Sequence, residues 1–480
     1  MKSPAHASVG GIAVVFAAGL VGAQGCWHLA PNSGVPIDGS ADGTIDAPLV
    51  DGVVLESAAE TGPGDAGDAG DAGDAGNAME SGPAMQAYAS AAIAAGAGFG
   101  CIVDGQGEVL CWGDNTYGQA GSSPTATAVV HPQVVPIAAV AVAGDAGDAS
   151  VGLIVTAVAL GDHHACVVTS TQDVYCWGLN DAYQLGHAAA SDGDQICPGA
   201  SAGQTLPCTG TPTLVAGIDG AVSIGAAGAW TCVVTTSQGV QCWGAAQGVG
   251  TDGGVACGLD LQAQGGSCYP GVYAVASLAG VTQLAVAYDH ACATIAGAAD
   301  ASDSVACWGN NNEGQVSPSA CPGADCTTPM TRADLSSTVG LAAGNAFTCA
   351  LDSSGTVRCF GDNTYGQLGH APGTAGDLGS ASPEAGLGIY DVTATPVAGL
   401  GGASSLVGGG AESACALVDG AVDCWGNVAT SVAGTPVAIG GLPTMAALGA
   451  YVGTTACGLA TDGGIWCWSI VAATGATQVQ

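Results

Sequence analysis

The chain has 480 residues, of which 48% are hydrophobic but only 5% aromatic, and it contains 81 Gly. Three Lys and Arg stand against 39 Asp and Glu, so the formal net charge is −36. A field of that sign repels phosphate backbones and anionic membrane surfaces, which argues against nucleic acid as a partner. The simplest consequence of the acidity is solubility. Many small apolar residues and turn formers, without a helical period, predict an all-β fold of short strands.

The N-terminal residues 1–25 carry Lys2 and then the apolar run IAVVFAAGLVGA, which is typical of an export signal and too short for a membrane span. The sequence AQGC at 23–26 resembles a bacterial lipoprotein cleavage site with Cys26 as the lipidated residue, although Ala23 and Gln24 depart from the usual pattern. We expect an outer-membrane or cell-surface lipoprotein that touches the membrane only through this anchor. Cleavage after Ala23 would instead give a periplasmic or secreted protein.

Residues 26–85 are mainly Gly, Ala, Asp, Pro and Ser, and they include GDAGDAGDAGDAGNA at 64–78. A segment this poor in large apolar side chains cannot bury enough surface to offset the entropy of ordering it, so we predict a disordered acidic tether. Asp at every third position also suggests Ca²⁺ binding. A calcium loop, however, needs converging oxygens and a closing bidentate acid, which this run lacks.

One unit recurs seven times in residues 86–480, and CALDSSGTVRCFGDNTYGQLGH at 349–370 is its clearest copy. Two alternating runs joined by a Gly-containing turn predict a β-hairpin with one Cys on each strand. An aromatic residue follows the second Cys in every copy. Pro-containing segments such as HPQVVPIA supply a further strand. Seven copies of about four short strands predict a monomeric seven-bladed β-propeller, and the tail Ile470–Gln480 or an N-terminal segment is expected to close the ring.

The 21 Cys of the chain indicate an oxidising compartment. Directly opposed hairpin positions bring Cβ atoms within disulfide reach, so each copy is expected to hold one disulfide. The predicted hairpin pairs are Cys101 with Cys111, Cys166 with Cys176, Cys232 with Cys242, Cys292 with Cys307, Cys349 with Cys359, Cys415 with Cys424, and Cys457 with Cys467. Inserts at 187–210, 251–270 and 318–328 add the predicted pairs Cys197 with Cys208, Cys257 with Cys268, and Cys321 with Cys326. A zinc site would need four converging ligands, which the spacing does not offer, so no metal or other cofactor is predicted.

The repeats resemble those of the regulator of chromosome condensation family, whose unit runs roughly G-x-x-H-T-C-A-L and then D-G-x-V-x-C-W-G-x-N-x-x-G-Q-L-G. His164 and His290 occupy the family's His position, and Trp230 and Phe347 replace it elsewhere. The sixth and seventh copies lack the G-Q-L-G ending. The resemblance implies a seven-bladed propeller. Members of the family act as exchange factors for small GTPases, as inhibitors of secreted enzymes and as interaction scaffolds, and the exchange role fits an exported acidic chain badly.

The repeated aromatic and Asn residues are expected to be structural. The Trp after each second Cys should pack between blades with its N–H satisfied. The turn residues Asn115, Asn180, Asn311 and Asn363 should bind their own backbone.

Loops carry function in a propeller, so we predict a binding face made of the residues that enter the hairpins together with the stapled inserts. The candidate residues are Asp162, His163, His164, Trp230, Asp289, His290, Asn345, Phe347 and Glu412. The preferred hypothesis is a non-enzymatic binding module for a protein or polysaccharide. A secreted hydrolase or lyase is the alternative, and it requires Asp162, Asp289, His290 and Glu412 to converge at one channel mouth. A third possibility is a passive structural lipoprotein.

Overall fold

A computed structural model describes residues 93–137, 153–189, 193–199, 203–246, 255–256, 267–297, 303–318, 325–373, 389–410, 412–428, 431–471 and 476–479. The predicted export signal, Cys26 and the acidic tether lie outside these residues and stay predictions. The described residues form strands and turns with no helix, and therefore none that is long and apolar enough to cross a membrane.

The strands form seven sheets arranged as the blades of a propeller, which confirms the predicted all-β fold and blade number. Blade 1 contains β1 (Ile93–Ala95), β2 (Phe99–Val103), β3 (Val109–Gly113) and β4 (Val129–Val135). Blade 2 contains β5 (Val155–Leu160), β6 (His164–Thr169), β7 (Val174–Leu179), β8 (Gln195–Pro198) and β9 (Thr205–Leu214). Blade 3 contains β10 (Ala221–Ala227), β11 (Trp230–Thr235), β12 (Val240–Ala246), β13 (Val255–Ala256) and β14 (Ser267–Ala274).

The remaining four blades are built in the same way. Blade 4 contains β15 (Val281–Val286), β16 (His290–Ile295), β17 (Ser304–Asn310) and β18 (Asp325–Ser336). Blade 5 contains β19 (Thr338–Ala343), β20 (Phe347–Asp352), β21 (Val357–Asp362) and β22 (Tyr390–Pro396). Blade 6 contains β23 (Ala403–Gly409), β24 (Ser413–Val418), β25 (Ala421–Val428) and β26 (Ser431–Ala438). Blade 7 contains β27 (Met445–Leu448), β29 (Thr455–Ala460), β30 (Ile465–Ser469) and β31 (Thr477–Val479), and β28 (Ala450–Tyr451) lies between β27 and β29 in the chain.

Each blade is an antiparallel meander of four principal strands, which we name A, B, C and D from the axis outwards. Because neighbouring strands run in opposite directions, the A–B and C–D connections emerge at one face of the propeller and the B–C and D–A connections at the other. All three Cys-containing inserts belong to C–D connections. We call their side the insert face and the other side the opposite face.

The seven hairpin disulfides form as predicted, between the B and C strands of every blade. In each blade the two Cys are directly opposed in the strand register. Their Cα atoms lie 4.0–4.1 Å apart, the close spacing of a non-hydrogen-bonded antiparallel pair. From blade 1 to blade 7 the bonded pairs are Cys101 with Cys111, Cys166 with Cys176, Cys232 with Cys242, Cys292 with Cys307, Cys349 with Cys359, Cys415 with Cys424, and Cys457 with Cys467.

The inserts add further disulfides outside the hairpins. Cys197 is bonded to Cys208, as predicted. Cys268 and Cys326 are also disulfide-bonded. Their predicted partners, Cys257 and Cys321, lie outside the described residues, so these two pairings stay predictions.

The turn after strand C bonds the next blade in three places among the described residues. Trp177 Nε1 donates to the carbonyl oxygen of Gln119 in the preceding blade at 3.0 Å. Trp243 and Trp425 make the same bond to the carbonyls of the Gln residues that precede them in the ring, each at 3.0 Å. The turn after strand C thus supplies a carbonyl acceptor for the fully buried indole of the next blade. The same bond connects three pairs of neighbouring blades.

The turn itself is held by its Asn and Gln side chains. Asn363 Oδ1 accepts from the backbone N–H of Leu368, five residues on, at 3.0 Å. Gln367 Oε1 accepts from the N–H of Tyr365 at 2.8 Å, and its Nε2 donates to Asp362 Oδ2 at 2.7 Å. The Asn residues therefore bind their own backbone as predicted, but across a wider span than a simple Asx turn.

Two of the buried indoles depart from the expected pattern. Trp308 and Trp468 have no hydrogen-bond partner for Nε1 among the described residues. Trp308 belongs to blade 4 and Trp468 to blade 7. The blades before them, the third and the sixth, lack the Asn and Gln of the turn at the corresponding positions. The prediction that every such N–H is satisfied is therefore wrong at these two positions, because the acceptor comes from the preceding repeat and the repeats before these two Trp residues lack it.

This difference makes Trp425→Phe and Trp468→Phe a matched pair. Both variants should lower the free energy of unfolding, because Phe fills less of the buried site than Trp does. The loss should be about 1–2 kcal/mol larger for Trp425→Phe, which also leaves the Gln367 carbonyl without its donor, whereas the Trp468 N–H has no partner to lose. Urea unfolding with the disulfides intact measures both, and equal losses would contradict this account.

The ring is closed by two features near the C-terminal end of the chain. Strand β31 pairs with β30, so the tail supplies the outermost strand of blade 7. Strand β28 pairs in parallel with β1, and Val452 N–H donates to the carbonyl oxygen of Ala95 at 2.9 Å. The first of the two predicted closures is therefore correct, and a short parallel seam between the seventh and first repeats accompanies it.

The outermost strands expose unpaired backbone groups that could pair with another chain. Pro cannot donate to such a pairing and is tolerated on edge strands. Six of the seven described D strands contain it, at Pro132, Pro207 and Pro212, Pro270, Pro329, Pro396, and Pro436, and of these only Pro207 is covered by a further strand, β8. The Pro residues predicted to mark a further strand thus protect the rim of the propeller.

Candidate interaction face

Four of the predicted site residues are fully buried. His164, Trp230, His290 and Phe347 each have 0% exposed surface. They begin strand B and project between blades, and Trp230 Nε1 donates to the carbonyl oxygen of Ala287 in blade 4 at 2.7 Å. These side chains support the insert face from below and present no surface of their own to a partner.

The two His residues make the same contact in different blades. His164 Nε2 lies 2.8 Å from Thr231 Oγ1 of blade 3, and His290 Nε2 lies 2.8 Å from Thr348 Oγ1 of blade 5. Burial, and secondarily the charge of His163, lowers the pKa of His164 to about 3, so the ring is neutral at ordinary pH. His290 Nδ1 also lies 3.0 Å from Asp289 Oδ1.

The other five predicted residues, Asp162, His163, Asp289, Asn345 and Glu412, are half-buried at the A–B connections of the insert face. His163 packs against Tyr117 of blade 1, with ring centroids 5.2 Å apart. These five residues are positioned to contribute to a surface, and their role in binding stays a prediction.

Asp162 of blade 2 makes hydrogen bonds to residues of three other blades. Its N–H donates to the carbonyl oxygen of Gly228 in blade 3 at 2.9 Å, and its carbonyl accepts from Ala97 N–H of blade 1 at 3.2 Å. Its carboxylate Oδ2 accepts a 2.8 Å hydrogen bond from the hydroxyl of Tyr288 in blade 4. The Tyr288 ring passes over Gly228, whose φ of +53° and missing side chain leave room for it. We call the Asp162–Tyr288 bond the strap.

Both ends of the strap are electrostatically perturbed. Burial raises the pKa of Asp162, although the Tyr288 hydrogen bond and the neighbouring His163 oppose the increase. Burial and the nearby Asp162 carboxylate raise the pKa of Tyr288. The hydroxyl therefore stays protonated and able to donate.

A second acidic group lies in blades 4–6 of the insert face. Burial and the charge of Asp289 raise the pKa of Glu313 and that of Asp325. Burial, followed in smaller measure by Asp362, raises the pKa of Glu412, against hydrogen bonds from Asn345 and Asn427. Glu412 also has a positive φ of 48°, which is uncommon for a residue with a side chain.

The geometry does not support the hydrolase or lyase alternative. Asp162 is engaged by Tyr288, Asp289 by His290, and Glu412 by Asn345 and Asn427, so the acids lie in separate local networks. An axial channel of about 1020 Å³ is lined by the inner strands, and none of its lining residues is charged. Within the described ranges, no group of three or more His, Cys, Asp or Glu could hold a metal ion.

The Cys-stapled inserts emerge on the same side as the half-buried residues. In blade 2, β8 pairs with β9 to form a hairpin that extends the blade, and Ile196 on it is 69% exposed. In blade 3, β13 pairs with β14 in the same position of the sheet. In blade 4, the long strand β18 begins at Asp325, next to the disulfide-bonded Cys326.

Sequence reasoning missed Tyr288 as a site residue. Tyr288 stands four residues before a hairpin Cys, where blade 3 has Gly228 and blade 2 has Asp162. An aromatic side chain at a position that is otherwise small or polar was the available signal. Its partner, 126 residues away in the chain, could not be read from the sequence.

Comparison with known protein families agrees with this architecture. A family model for the regulator of chromosome condensation (RCC1) repeat matches residues 91–119, 155–184 and 339–367. Each matched segment contains the B–C hairpin and the turn described above. This propeller contains RCC1 repeats.

One sequence relative and two solved structures are similar to this propeller. RCC1 domain-containing protein 1 from Homo sapiens is 31% identical over 104 residues, which cover 21% of this chain and about a quarter (24%) of the human protein. Prp20p from Saccharomyces cerevisiae, described with its binding to Gsp1p and histones, has a TM-score of 0.56 and 16% identity over 79% of this chain and 87% of that one. Human WBSCR16 has a TM-score of 0.56 and 17% identity over 75% of this chain and 84% of that one.

Proposed function

We propose that this RCC1-repeat propeller is an exported, surface-tethered, non-enzymatic interaction module that engages a partner through its insert face. Its disulfides are those of a protein that matures in an oxidising compartment. The export signal, the lipid anchor at Cys26 and the acidic tether belong to the same proposal. The tether would hold the propeller away from the membrane while leaving its face free to bind.

The proposal rests mainly on one observation: the loops that are held by disulfides and hydrogen bonds lie on one side of the ring. Disulfide-bonded extensions, half-buried polar residues and the strap all lie on the insert face. Covalently held loops lose little conformational freedom on binding, which favours affinity. The similar Prp20p is described as binding other proteins, so a protein is the partner we favour, with a polysaccharide as the second candidate.

Site-directed photo-crosslinking in the organism that produces the protein tests this proposal. A benzophenone amino acid replaces Ile196 on the insert face, and in a matched strain it replaces Ile154, which is 52% exposed at the D–A connection of the opposite face. We expect a defined adduct, identified by mass spectrometry, at position 196 and none at position 154. Adducts only at 154, or the same adducts at both positions, would contradict the assignment of the face.

A further inference from the structure

We propose that blades 2–4 of the insert face form a preorganised docking site for a protein partner with a surface rich in Lys and Arg. The inference rests on the proposed function and narrows it to one sector of the face and one partner chemistry. We define the 2–4 sector by Asp162, Tyr183, Ile196, Tyr288, Asp289 and Asp325. All six side chains are at least partly accessible.

The three stapled extensions occur in consecutive blades. Among the described strands, those of the C–D insert that join their own sheet are β8 of blade 2 and β13 of blade 3. Blade 4 begins its D strand beside the disulfide-bonded Cys326. The turn of blade 2 and the insert of blade 3 share one apolar cluster, which contains Ala182 and Cys268 and has Tyr183 packed against it.

The strap connects these same three blades. Asp162 belongs to blade 2, Gly228 to blade 3 and Tyr288 to blade 4, and the 2.8 Å hydrogen bond joins the first to the third across the second. Blade-to-blade bonds elsewhere join immediate neighbours, as in Trp177 with Gln119. The sector therefore has a disulfide-bonded Cys in each extension, and a side-chain hydrogen bond connects the A–B connections of its first and third blades.

The exposed chemistry of the sector defines its partner. Tyr183, Tyr288 and Ile196 offer the aromatic and apolar contacts that are enriched in interfaces. Of the three carboxylates of the sector, Asp162 is bonded to Tyr288, and Asp289 is close enough to raise the pKa of Asp325. Both Arg of the described chain are elsewhere: Arg332 is fully buried, and Arg358 lies in blade 5 and interacts with a carboxylate of the opposite face. A complementary surface must therefore supply the positive charge.

The experiment compares two triple variants of the full-length disulfide-bonded protein that change net charge equally. One is Asp162→Asn, Asp289→Asn and Asp325→Asn in the sector. The control is Asp352→Asn, Asp419→Asn and Asp462→Asn, at B–C turns of the opposite face. Asn keeps an acceptor for the hydrogen bonds of Asp162 with Tyr288 and of Asp352 with Ser354. Unchanged near-UV circular dichroism verifies that both variants fold.

The probe is a displayed library of random 15-residue peptides, selected on the wild-type protein in 150 mM salt. At that ionic strength exposed charges more than about 8 Å apart are largely screened, so local charge rather than net charge decides affinity. We expect the selected peptides to be enriched in Lys and Arg. Their affinity should fall at least about tenfold for the sector variant and less than about twofold for the control, as loss of close charge pairs at an interface predicts.

Equal losses in the two variants, or selected peptides with no excess of Lys and Arg, would overturn the inference. A third variant, Asp362→Asn with Glu412→Gln, separates this failure from failure of the proposed function. Peptides that lose affinity only with this variant would move the site to blades 5 and 6, and the proposed function would stand without the sector. If no peptide binds the insert face at all, the inference fails, and crosslinking at position 196 decides the proposed function by itself.

Discussion

Replacing Arg332 by Met is expected to lower the free energy of unfolding by about 2–3 kcal/mol, because a buried guanidinium loses its hydrogen bonds to a partly exposed carboxylate and to a backbone carbonyl. Arg332 has no exposed surface. Its Nε and Nη2 atoms donate to the two carboxylate oxygens of Asp334 at 3.0 and 2.7 Å, and Nη2 also donates to the Val392 carbonyl at 2.9 Å. The variant leaves these acceptors behind without their donor.

The location of Arg332 explains why the effect should be large. Its guanidinium carbon lies 3.7 Å from the ring centroid of Phe360, the one aromatic at its repeat position that is not Trp. Phe360 has no N–H with which to bond the preceding blade, and the Arg332 network joins blades 4 and 5 instead. Burial opposes ionisation of Asp334, yet the hydrogen bonds from Arg332 and from Ala394 N–H bring its pKa below the ordinary value.

Arg358→Met is the matched control, because Arg358 is the other described Arg and is only half-buried. Its interaction with Asp352 is near the surface, so we expect a loss below about 1 kcal/mol. Urea unfolding of the two variants, measured with disulfides intact, compares their losses of unfolding free energy. Similar losses for both would show that the Arg332 network does not hold the blades together.

Acidification from pH 7 to pH 4.5 should cost the wild-type protein about 2–3 kcal/mol more than the variant His164→Phe, as the linkage of proton binding to folding requires. The pKa of His164 is about 3 in the folded protein, against an ordinary value of 6.5. The unfolded chain therefore binds a proton that the folded protein does not, and stability is present above about pH 6.5 and lost progressively as the pH falls towards 3. Two pH units below 6.5 correspond to about 2.7 kcal/mol.

His164→Phe removes the titrating ring while keeping a shape that the repeat accepts, since Phe347 occupies the same position in blade 5. The variant loses the contact with Thr231 Oγ1 and should be less stable than the wild type at pH 7. The relevant quantity is the change in unfolding free energy between the two pH values. Parallel pH curves for the two proteins would mean that His164 is protonated in the fold.

The sequence was most informative where structure depends on residues close in the chain. A spacing of ten between Cys349 and Cys359, with a turn between them, leaves one register in which the two oppose each other, and the structure has that register. Counting such hairpins predicted the number of blades. The turn around Asn363 could also be predicted from the sequence, because its hydrogen bonds span five residues or fewer.

The sequence was least informative where contacts join separate repeats. Tyr288 and Asp162 are 126 residues apart, and Arg332 meets Val392 across 60 residues. The four buried members of the predicted site are an instructive case. Repeat alignment correctly placed His164, Trp230, His290 and Phe347 next to a face, but it could not show that they point between blades.

By itself, therefore, the sequence determined a ring of seven disulfide-bonded hairpins, since hairpin register and turn chemistry are local properties of a few neighbouring residues. The tertiary structure alone decided which polar side chains reach the surface, which indoles lack an acceptor, and which blades the strap connects. The physical reason is that these outcomes depend on which repeat lies beside which at the axis, and closing the ring brings together side chains that no local pattern relates.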